Sequence, residues 1–310
     1  APGMPEHIAL NLPEWCLSGF RARFGEALPQ AMAAMDEPAP LDLRANLLKT
    51  TRDAARAALA AEGIATEPTP FSPWGLRAAP RQNVTATQAF RDGLVEIQDE
   101  GSQLIALLTA ARPGERVADL CAGAAGKTLA LAAMMGNRGR ISACDVSATR
   151  LEAATKRLRR AGADNVDRHL LAPGDRWAKR RAGAFDAVLV DAPCTGSGTW
   201  RRNPDARLTT TAKDLAEVSE KQSVILDVAV SLLRPGGRLV YATCSLLPEE
   251  NEVQVERVLA RHPTLRLVPL VEAWARAAAA PPPNDGPYLA LAPHSHGTDG
   301  FFAAVLERRG

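Results

Sequence analysis

The chain has 310 residues, of which 46% are hydrophobic, and this length suffices for one large domain together with a smaller one. Its 37 basic and 35 acidic residues leave a formal net charge of +2, so bulk charge gives no argument for a nucleic-acid partner. The sequence has no apolar run long enough to span a membrane and no signal-peptide pattern, so we expect no membrane contact.

The five cysteines are odd in number and widely spaced, and no two of them form a C-x-x-C pair. This usage fits free thiols in a reducing cytosol and gives no zinc-type spacing. We therefore expect a cytoplasmic protein without a metal ion. We also expect the chain to be monomeric.

The first part of the chain has a mixed pattern. Residues 5–35 carry aromatic and apolar side chains at helical spacing, which predicts a packed helical segment. Between residues 40 and 80 a strand pattern is followed by an alanine-rich helix that ends at Gly63, and then by two short strand patterns separated by prolines. This order predicts a small α+β unit.

From about residue 90 the pattern changes to alternating strands and helices. The strand-like stretches are 117–120, 139–145, 185–191 and 237–242, and the helical stretches between them are 126–136, 147–161 and 214–233. Such alternation predicts a parallel sheet with helices on both faces. In sheets of this kind the functional residues collect at the carboxyl ends of the strands.

A turn of small residues, Cys121–Thr128, follows the strand that ends at Asp119 and opens a helix. Small residues let a ligand approach the backbone, and the start of a helix offers unpaired N–H groups, so the turn predicts a nucleotide-type cofactor site. Its ending, Gly126–Lys127–Thr128, also resembles a phosphate-binding P-loop, but Cys121 stands where that motif needs glycine. A purely structural turn is the other interpretation.

Acidic residues close several of the predicted strands. Asp145 lies 22 residues beyond Gly123, at the distance where an acid commonly accepts hydrogen bonds from a ribose. The same residue would also suit a helix N-cap. Asp191 ends a further strand, and Asp175 follows the region where a third strand should lie. A methyl-donor nucleoside, a dinucleotide or a flavin would each satisfy this much.

Two cysteines follow neighbouring predicted strands. Cys194 belongs to the glycine-rich loop Asp191–Gly198, and Cys244 lies between Thr243 and Ser245. A single cysteine is usually a small buried hydrophobic residue. Two cysteines at strand ends, one of them beside an acid, favour a catalytic role instead. A cysteine whose surroundings lower its pKa forms a thiolate, and a thiolate can attack an electron-poor carbon.

Short motifs of distinctive sequence occur along most of the second part of the chain. They are Gln98–Ser102, Asp119–Thr128, Asp191–Gly198, Arg201–Asp205, Tyr241–Leu246, Pro248–Asn251 and His296–Phe302. With these motifs, residues 95–308 resemble the Sun/Nop (RsmB-like) family of RNA cytosine-5 methyltransferases, which use S-adenosyl-L-methionine. Residues 40–80 resemble the small RNA-binding subdomain that precedes the catalytic domain of that family.

The resemblance implies an α/β fold in two regions. Residues 1–88 would form an N-terminal helical and small α+β (RRM-like) RNA-binding region. Residues 89–310 would form a Rossmann-like class I methyltransferase domain, with a mostly parallel seven-stranded sheet.

The resemblance also implies how S-adenosyl-L-methionine is held. Its methionine portion would lie on the backbone of the first loop, which consists of Cys121, Ala122, Gly123, Ala124, Ala125, Gly126 and Lys127. Asp145 would bind the ribose hydroxyls and Asp175 the edge of the adenine, while Arg150 is a further candidate for the pocket. Asp191 would lie between cofactor and base, within reach of Lys127.

The catalytic roles implied by the resemblance fall on the two cysteines. Cys244 would add to carbon 6 of cytosine, which makes carbon 5 nucleophilic enough to accept the methyl group. Asp191 would stabilise the activated base at N3, and Cys194 would assist the release of Cys244. Lys127 completes the predicted catalytic set.

The implied partner is RNA with an accessible target base, because the attack needs the face of the ring. We assign Arg201 and Arg202 to RNA, whereas Arg157, Arg159 and Arg160 suit a solvated helix face. The motifs favour ribosomal RNA, with transfer RNA as the alternative. A catalytically inactive RNA-binding module and a P-loop nucleotide hydrolase are the other functional classes considered.

The first loop departs from the family. It usually has the sequence CAAPGGK, whereas here Ala124 replaces the proline and Ala125 replaces the glycine after it. If that glycine needs a positive φ, alanine costs about 1 kcal/mol at this position. Gly123 can offset this by letting the loop take another path.

Overall fold

The computed structural model describes residues 3–310, which form fourteen α-helices and twelve strands within that range. The helices are α1 (Glu6–Ala9), α2 (Leu17–Phe24), α3 (Leu28–Asp36), α4 (Arg52–Ala61), α5 (Gln88–Arg91), α6 (Glu100–Leu108), α7 (Gly126–Met135), α8 (Ala148–Ala161), α9 (Trp177–Arg180), α10 (Pro204–Thr209), α11 (Ala212–Leu232), α12 (Glu252–Arg261), α13 (Leu270–Ala275) and α14 (Pro293–His296). The strands are β1 (Leu41–Ala45), β2 (Thr66–Pro68), β3 (Gly75–Ala78), β4 (Val95–Ile97), β5 (Arg116–Asp119), β6 (Arg140–Asp145), β7 (Val166–Leu170), β8 (Phe185–Asp191), β9 (Leu233–Thr243), β10 (Leu265–Val268), β11 (Leu289–Leu291) and β12 (Phe301–Arg308).

The larger sheet has the strand order β10-β12-β9-β8-β5-β6-β7, and the short β11 pairs with β12 as an eighth strand. The pairs β5–β6, β6–β7, β5–β8 and β8–β9 are parallel, whereas β12 is antiparallel to both of its neighbours in that order. The prediction of a mostly parallel, Rossmann-like sheet is confirmed, and β11 is added to its seven strands.

Both faces of this sheet are buried, and neighbouring residues alternate between them. Val117 and Val240 belong to the apolar cluster on one face, whereas Ala118 and Leu239 belong to the cluster on the other. This alternation follows from the two-residue period of a strand, and it explains why these strands are almost continuously apolar. Each valine or leucine so buried contributes about 1.5–3 kcal/mol.

Helices cover each face, as the alternating pattern predicts. Helices α6 and α7 pack on one face through residues such as Leu104 and Leu131, and α11 and α12 pack on the other through Leu226 and Val255. None of the helices within residues 3–310 has both the length and the apolar character needed to cross a membrane.

The smaller sheet is antiparallel and has the order β2-β3-β1-β4. Its apolar side packs with α4, where Leu43, Leu59 and Leu76 are fully buried. The strand β4 lies past residue 88, so the small sheet extends into the range that the sequence assigned to the second region. The division into 1–88 and 89–310 stays a prediction.

The helices before the small sheet pack elsewhere. Phe20 of α2 stacks on Trp200 at a centroid distance of 5.6 Å, and both rings are fully buried. Leu28 and Met32 of α3 belong to the same apolar cluster as Leu246. The predicted helical segment therefore covers the loops that follow β8 and β9, rather than the small sheet.

The loop after β8 lies close to the backbone of two other segments, at Cys244 and at Gly300. The Gly198 N–H donates to the Cys244 carbonyl, and the Gly300 N–H donates to the Gly198 carbonyl. A Cβ on Gly198 would lie 2.2 Å from the Gly300 carbonyl oxygen. We expect Gly198→Ala to lower the free energy of unfolding by about 1–3 kcal/mol, measured by chemical denaturation.

The matched control is Gly126→Ala, because a Cβ there would have Gln98 Nε2 as its nearest neighbour, at 3.7 Å. Gly126→Ala should leave the free energy of unfolding nearly unchanged. Equal stability of wild type and Gly198→Ala would show that the two loops do not need this close approach.

Candidate active site

A cavity of about 550 Å³ opens beside the carboxyl ends of β5, β6, β8 and β9. Its wall brings together most of the residues predicted for the site. They are Cys121, Ala122, Gly123, Ala124, Gly126, Lys127, Asp145, Arg150, Asp191, Cys194 and Cys244. Two predicted cofactor residues, Ala125 and Asp175, are not part of this wall.

The first loop takes a left-handed turn before α7. Gly123 has φ +54°, and Ala125 has φ +65° with ψ 25°. The position that is glycine in the family thus does have positive φ here, and alanine carries a strain of about 1 kcal/mol. The Ala125 methyl group is buried beside Leu129 and Leu158, which places it away from the cavity wall.

Asp145 is oriented by two backbone donors. Its Oδ2 accepts from the Gly123 N–H and its Oδ1 from the Ser147 N–H, each at 2.8 Å. Helix α8 is capped by Ser147, whose Oγ accepts from the Arg150 N–H, so Asp145 is not the N-cap. Each carboxylate oxygen keeps a lone pair for a further donor such as a hydroxyl. Arg150 lies 3.7 Å from Asp145 Oδ2 and its side chain is largely exposed.

Asp175 does not lie in the cavity wall, where the sequence predicts it. Its carboxylate accepts from the Trp177 N–H at 2.8 Å and pairs with His169 Nε2 at 2.5 Å. The hydrogen bond from His169 holds the pKa of Asp175 below its ordinary value. Because these partners hold the carboxylate at the start of α9, Asp175 lies outside the cavity. The wall nearby is formed by Leu171, Trp177 and Ala178.

Several residues of the wall were missed from the sequence. Val146 and Val224 line the cavity although their side chains are largely exposed, at 73% and 63%. Val146 directly follows Asp145, so an apolar residue after a strand-ending acid was an available signal. Val224 lies on α11, and only the tertiary fold brings it to the site.

Asp119 is a second buried acid of the cavity, besides Asp145. Its Oδ2 accepts from Thr128 Oγ1 at 2.7 Å, whereas its Oδ1 has no hydrogen-bond partner among residues 3–310. Burial raises the pKa of Asp119 from 3.8 to about 7. A buried acceptor without a partner is rare, and here it lines a ligand-sized cavity, which suits a cationic group of a ligand.

Lys127 and Asp191 form an ion pair across the cavity wall. Lys127 Nζ lies 2.5 Å from Asp191 Oδ2, and the lysine side chain is 9% exposed. Lys127 comes from the first turn of α7 and Asp191 from the end of β8. The pair therefore joins the predicted cofactor loop to the loop of Cys194, as the sequence predicted.

The two cysteine thiols meet at the other side of the cavity. Cys194 Sγ and Cys244 Sγ are 3.4 Å apart, within reach of an S–H hydrogen bond. This hydrogen bond, together with burial, raises the pKa of Cys194 well above its ordinary value. Cys194 therefore retains its proton and can donate it toward Cys244 Sγ.

A buried carboxylate joins the two cysteine loops. Glu250 accepts from the Thr195 N–H at 2.8 Å and from Thr195 Oγ1 at 2.6 Å, on the loop of Cys194. It also accepts from Ser245 Oγ, next to Cys244, and from Gln222 Nε2 at 3.1 Å. Burial raises the pKa of Glu250. The sequence flagged this residue only as part of a motif, and the structure shows what it holds.

Arg201 and Arg202 both have internal partners. Arg201 Nε donates to Asp299 Oδ1 at 2.5 Å, and its side chain is 5% exposed. Arg202 pairs with Asp299 and, at 2.9 Å, with Asp99. Burial raises the pKa of Asp99 to about 7. Both arginines thus tie the loop after Cys194 to neighbouring segments, and their assignment to RNA stays a prediction.

Comparison with known proteins gives a decisive match. A family model described as 16S rRNA methyltransferase RsmB/F matches residues 106–307. The chain belongs to the RsmB/F family. A second model, for a ferredoxin-like domain of RsmF/B-like methyltransferases, matches residues 12–85. The resemblance to the Sun/Nop (RsmB-like) family is confirmed.

Two curated relatives of this family illustrate the similarity. The probable ribosomal RNA small subunit methyltransferase B of Synechocystis sp. is 33% identical over 303 residues, which cover 96% of this chain and 67% of the relative. The ribosomal RNA small subunit methyltransferase B of Photorhabdus laumondii is 32% identical over 302 residues, covering 96% and 66%. The chain spans about two thirds of the length of these relatives.

A solved structure of a methyltransferase homologue from Pyrococcus horikoshii has the same fold. It is 29% identical to this chain, with a TM-score of 0.83 over 99% of both chains. The RsmB/F fold therefore extends over the small sheet as well as the large one.

The raised pKa of Asp119 predicts how stability changes with pH. Between about pH 4 and 7 the folded chain keeps a proton on Asp119 that the unfolded chain has lost, so the free energy of unfolding falls as pH rises. Above about pH 7 Asp119 is ionised in both states, so it causes no further fall in the free energy of unfolding. Asp119→Asn should flatten the fall, measured by denaturant unfolding across this range.

The control is Asp205→Asn, because Asp205 is exposed at the start of α10. It should keep the wild-type pH dependence, including the part that Asp99 contributes through its own raised pKa. Identical pH dependence in wild type and Asp119→Asn would contradict the assignment.

Proposed function

We propose that this chain transfers a methyl group from S-adenosyl-L-methionine to carbon 5 of a cytosine in ribosomal RNA. The transfer would proceed through a covalent bond between Cys244 Sγ and carbon 6 of the base. The observation that carries this proposal is the pair of thiols, 3.4 Å apart, at the edge of a cavity lined by Asp145 and Asp191. The curated relatives, named as ribosomal RNA small subunit methyltransferases, support ribosomal RNA as the substrate.

The residues of the cavity fit S-adenosyl-L-methionine. Asp119 Oδ1 is a buried acceptor without a partner, which suits the ammonium group. Asp145 keeps lone pairs for the ribose hydroxyls, and Val146 and Val224 offer apolar surface for a base. A volume of about 550 Å³ lies within the range of small-molecule sites. When bound, the cofactor supplies an electrophilic methyl group on a sulfonium.

Cys244 and Asp191 would activate the base. The Cys244 thiolate adds to carbon 6, which makes carbon 5 nucleophilic, and the negative charge spreads into the ring. The proton lost from the Cys244 thiol would pass to N3 of the base and be given up again when Cys244 leaves. The Asp191 carboxylate, oriented by Lys127, would accept a hydrogen bond from that N3–H and so stabilise the activated ring. Glu250 would act as a positioning group, since it fixes both cysteine loops.

Cys194 would act in the release step. Once carbon 5 carries the methyl group, its proton passes to solvent and the bond from carbon 6 to Cys244 Sγ breaks. The sulfur leaves as a thiolate. The raised pKa of Cys194 keeps its thiol protonated, so an S–H donor is available to stabilise the departing sulfur.

Substitutions of the two cysteines should therefore stop the reaction at different steps. Cys244→Ser should abolish transfer, because a serine hydroxyl without a strong base is a far weaker nucleophile. Cys194→Ala removes the S–H donor and should stall after methylation, with RNA still joined to Cys244. The trapped species is a slowly migrating band on a denaturing gel that depends on the methyl donor.

Cys16→Ser is the control, because Cys16 is a buried thiol of the N-terminal helical segment. It should turn over without accumulating an adduct. An adduct in Cys244→Ser would reverse the two roles, and full activity in both active-site variants would remove the cysteines from the mechanism.

The chain also has a basic surface where RNA phosphates fit. A shallow depression is lined by five cations and one acid, namely Lys49, Arg91, Lys156, Arg159, Arg160 and Asp92. It lies between α8 and two segments beside the small sheet, the loop after β1 and the end of α5, and Lys156 and Arg159 are exposed. Because phosphate contacts with Lys and Arg supply most sequence-independent affinity, this depression supports RNA as the partner of the chain, and Lys49 is its one cation from the predicted N-terminal region.

Reversing two of these charges tests the surface. Lys156→Glu combined with Arg159→Glu should weaken RNA binding by about tenfold or more at low salt. The salt dependence should become shallower by about two phosphate contacts. Lys213→Glu with Arg257→Glu reverses two exposed charges on α11 and α12 and should bind RNA as wild type does. Equal affinity in both double variants would place the RNA elsewhere.

A further inference from the structure

We propose that the small sheet positions the cofactor loop, through a clamp formed by Arg44, Arg157 and Glu96. The clamp holds the backbone on both sides of Ala125 and so sets the affinity for the cofactor. This inference rests on the proposed function, because the loop is the proposed site of S-adenosyl-L-methionine. It gives the small sheet a role in cofactor binding in addition to the one proposed for RNA.

Arg44 is the first contact of the clamp. It projects from β1 and is 2% exposed. Its Nη1 donates to the Gly126 carbonyl at 2.9 Å and to Gln98 Oε1 at 2.6 Å. Burial lowers the pKa of Arg44 to about 10, so the guanidinium remains charged near neutral pH. A small-sheet cation is thus buried directly against the cofactor loop.

Arg157 is the second contact, and Glu96 holds it in place. Arg157 Nη1 donates from α8 to the Ala124 carbonyl at 2.8 Å. Its Nη2 donates to Glu96 Oε2 at 3.1 Å, and the other Glu96 oxygen pairs with Arg160. Glu96 belongs to β4 and its side chain is 3% exposed. The small sheet therefore reaches the loop by a second route.

The two clamped carbonyls flank the strained residue. Ala125 is left-handed without being glycine, and Ala124 lacks the proline ring that restrains this position in the family. The local sequence therefore leaves the loop free to relax from the observed turn. Charge-assisted hydrogen bonds to the Ala124 and Gly126 carbonyls oppose that relaxation from outside the loop.

A loop that is ordered before binding binds more tightly, because less conformational freedom is lost on complex formation. Removing either arginine should raise the dissociation constant of the cofactor. Removing Arg157 leaves the cavity wall chemically unchanged, whereas removing Arg44 also takes a hydrogen-bond partner from Gln98, which lines the cavity. The affected quantity is the affinity, since neither guanidinium lines the cavity.

The test uses S-adenosylhomocysteine as the probe and calorimetry on the full chain. Arg157→Met should raise its dissociation constant by up to about tenfold, because the free energy of one charge-assisted hydrogen bond limits how much the contact can order the free loop. Arg44→Met should act in the same direction. Arg157→Lys keeps a donor and should recover part of the affinity. Amide hydrogen exchange of residues 121–127 should be faster in Arg157→Met than in wild type.

Arg168→Met is the matched control. Arg168 lies on β7 and its Nη1 donates to the Leu151 carbonyl of α8 at 2.8 Å, but its guanidinium contacts neither Glu96 nor the loop. It should leave the affinity for S-adenosylhomocysteine within about twofold of wild type. If Arg44→Met fails to fold, Arg157→Met still tests the clamp. The Arg157 side chain is partly exposed on α8, so we expect this variant to fold.

Three results would overturn the inference. Wild-type affinity in both folded Arg157→Met and Arg44→Met would remove the clamp and leave the proposed function intact. Equal weakening in Arg168→Met would indicate general loosening of α8. Failure of the wild-type chain to bind S-adenosylhomocysteine would overturn the proposed function and the clamp together.

Discussion

The parallel pairing of β8 with β9 is the constraint on which the site depends. Because both strands run in the same direction, the chain leaves them at the same edge of the sheet, and the loops of Cys194 and Cys244 must meet there. Glu250 then fixes the distance between the loops with hydrogen bonds to each of them. Two thiols 50 residues apart in sequence thereby lie 3.4 Å apart.

Much of this site could be predicted, because its residues follow strand ends and belong to specific local motifs. Asp145, Asp191, Cys194 and Cys244 all line the cavity as their positions implied. The glycine that the family has in place of Ala125 raised the question of a positive φ there, with another path through Gly123 as the alternative, and the structure has φ +65° at Ala125. Local sequence carries this information because a strand end fixes which edge of the sheet a side chain reaches.

Most of the remaining features depend on contacts between distant segments. Arg201 is held by Asp299, 98 residues later, and Arg44 contacts the carbonyl of Gly126, 82 residues away, which no local pattern indicates. Such partners become neighbours only when the chain folds, so the sequence shows the charges without showing how they pair. Asp175 is the local exception, because His169, 6 residues earlier, holds its carboxylate away from the cavity.

The most direct test of the proposed function is the identity of the methylated nucleoside. The purified chain is incubated with labelled S-adenosyl-L-methionine and unmodified small-subunit ribosomal RNA, and the RNA is then digested to nucleosides. We expect the label in 5-methylcytidine with the wild-type chain and none with Cys244→Ser. Label in a different nucleoside, or undiminished 5-methylcytidine with Cys244→Ser, would contradict the proposed mechanism. A parallel incubation replaces the ribosomal RNA with unmodified transfer RNA, and label in transfer RNA alone would contradict the assignment to ribosomal RNA.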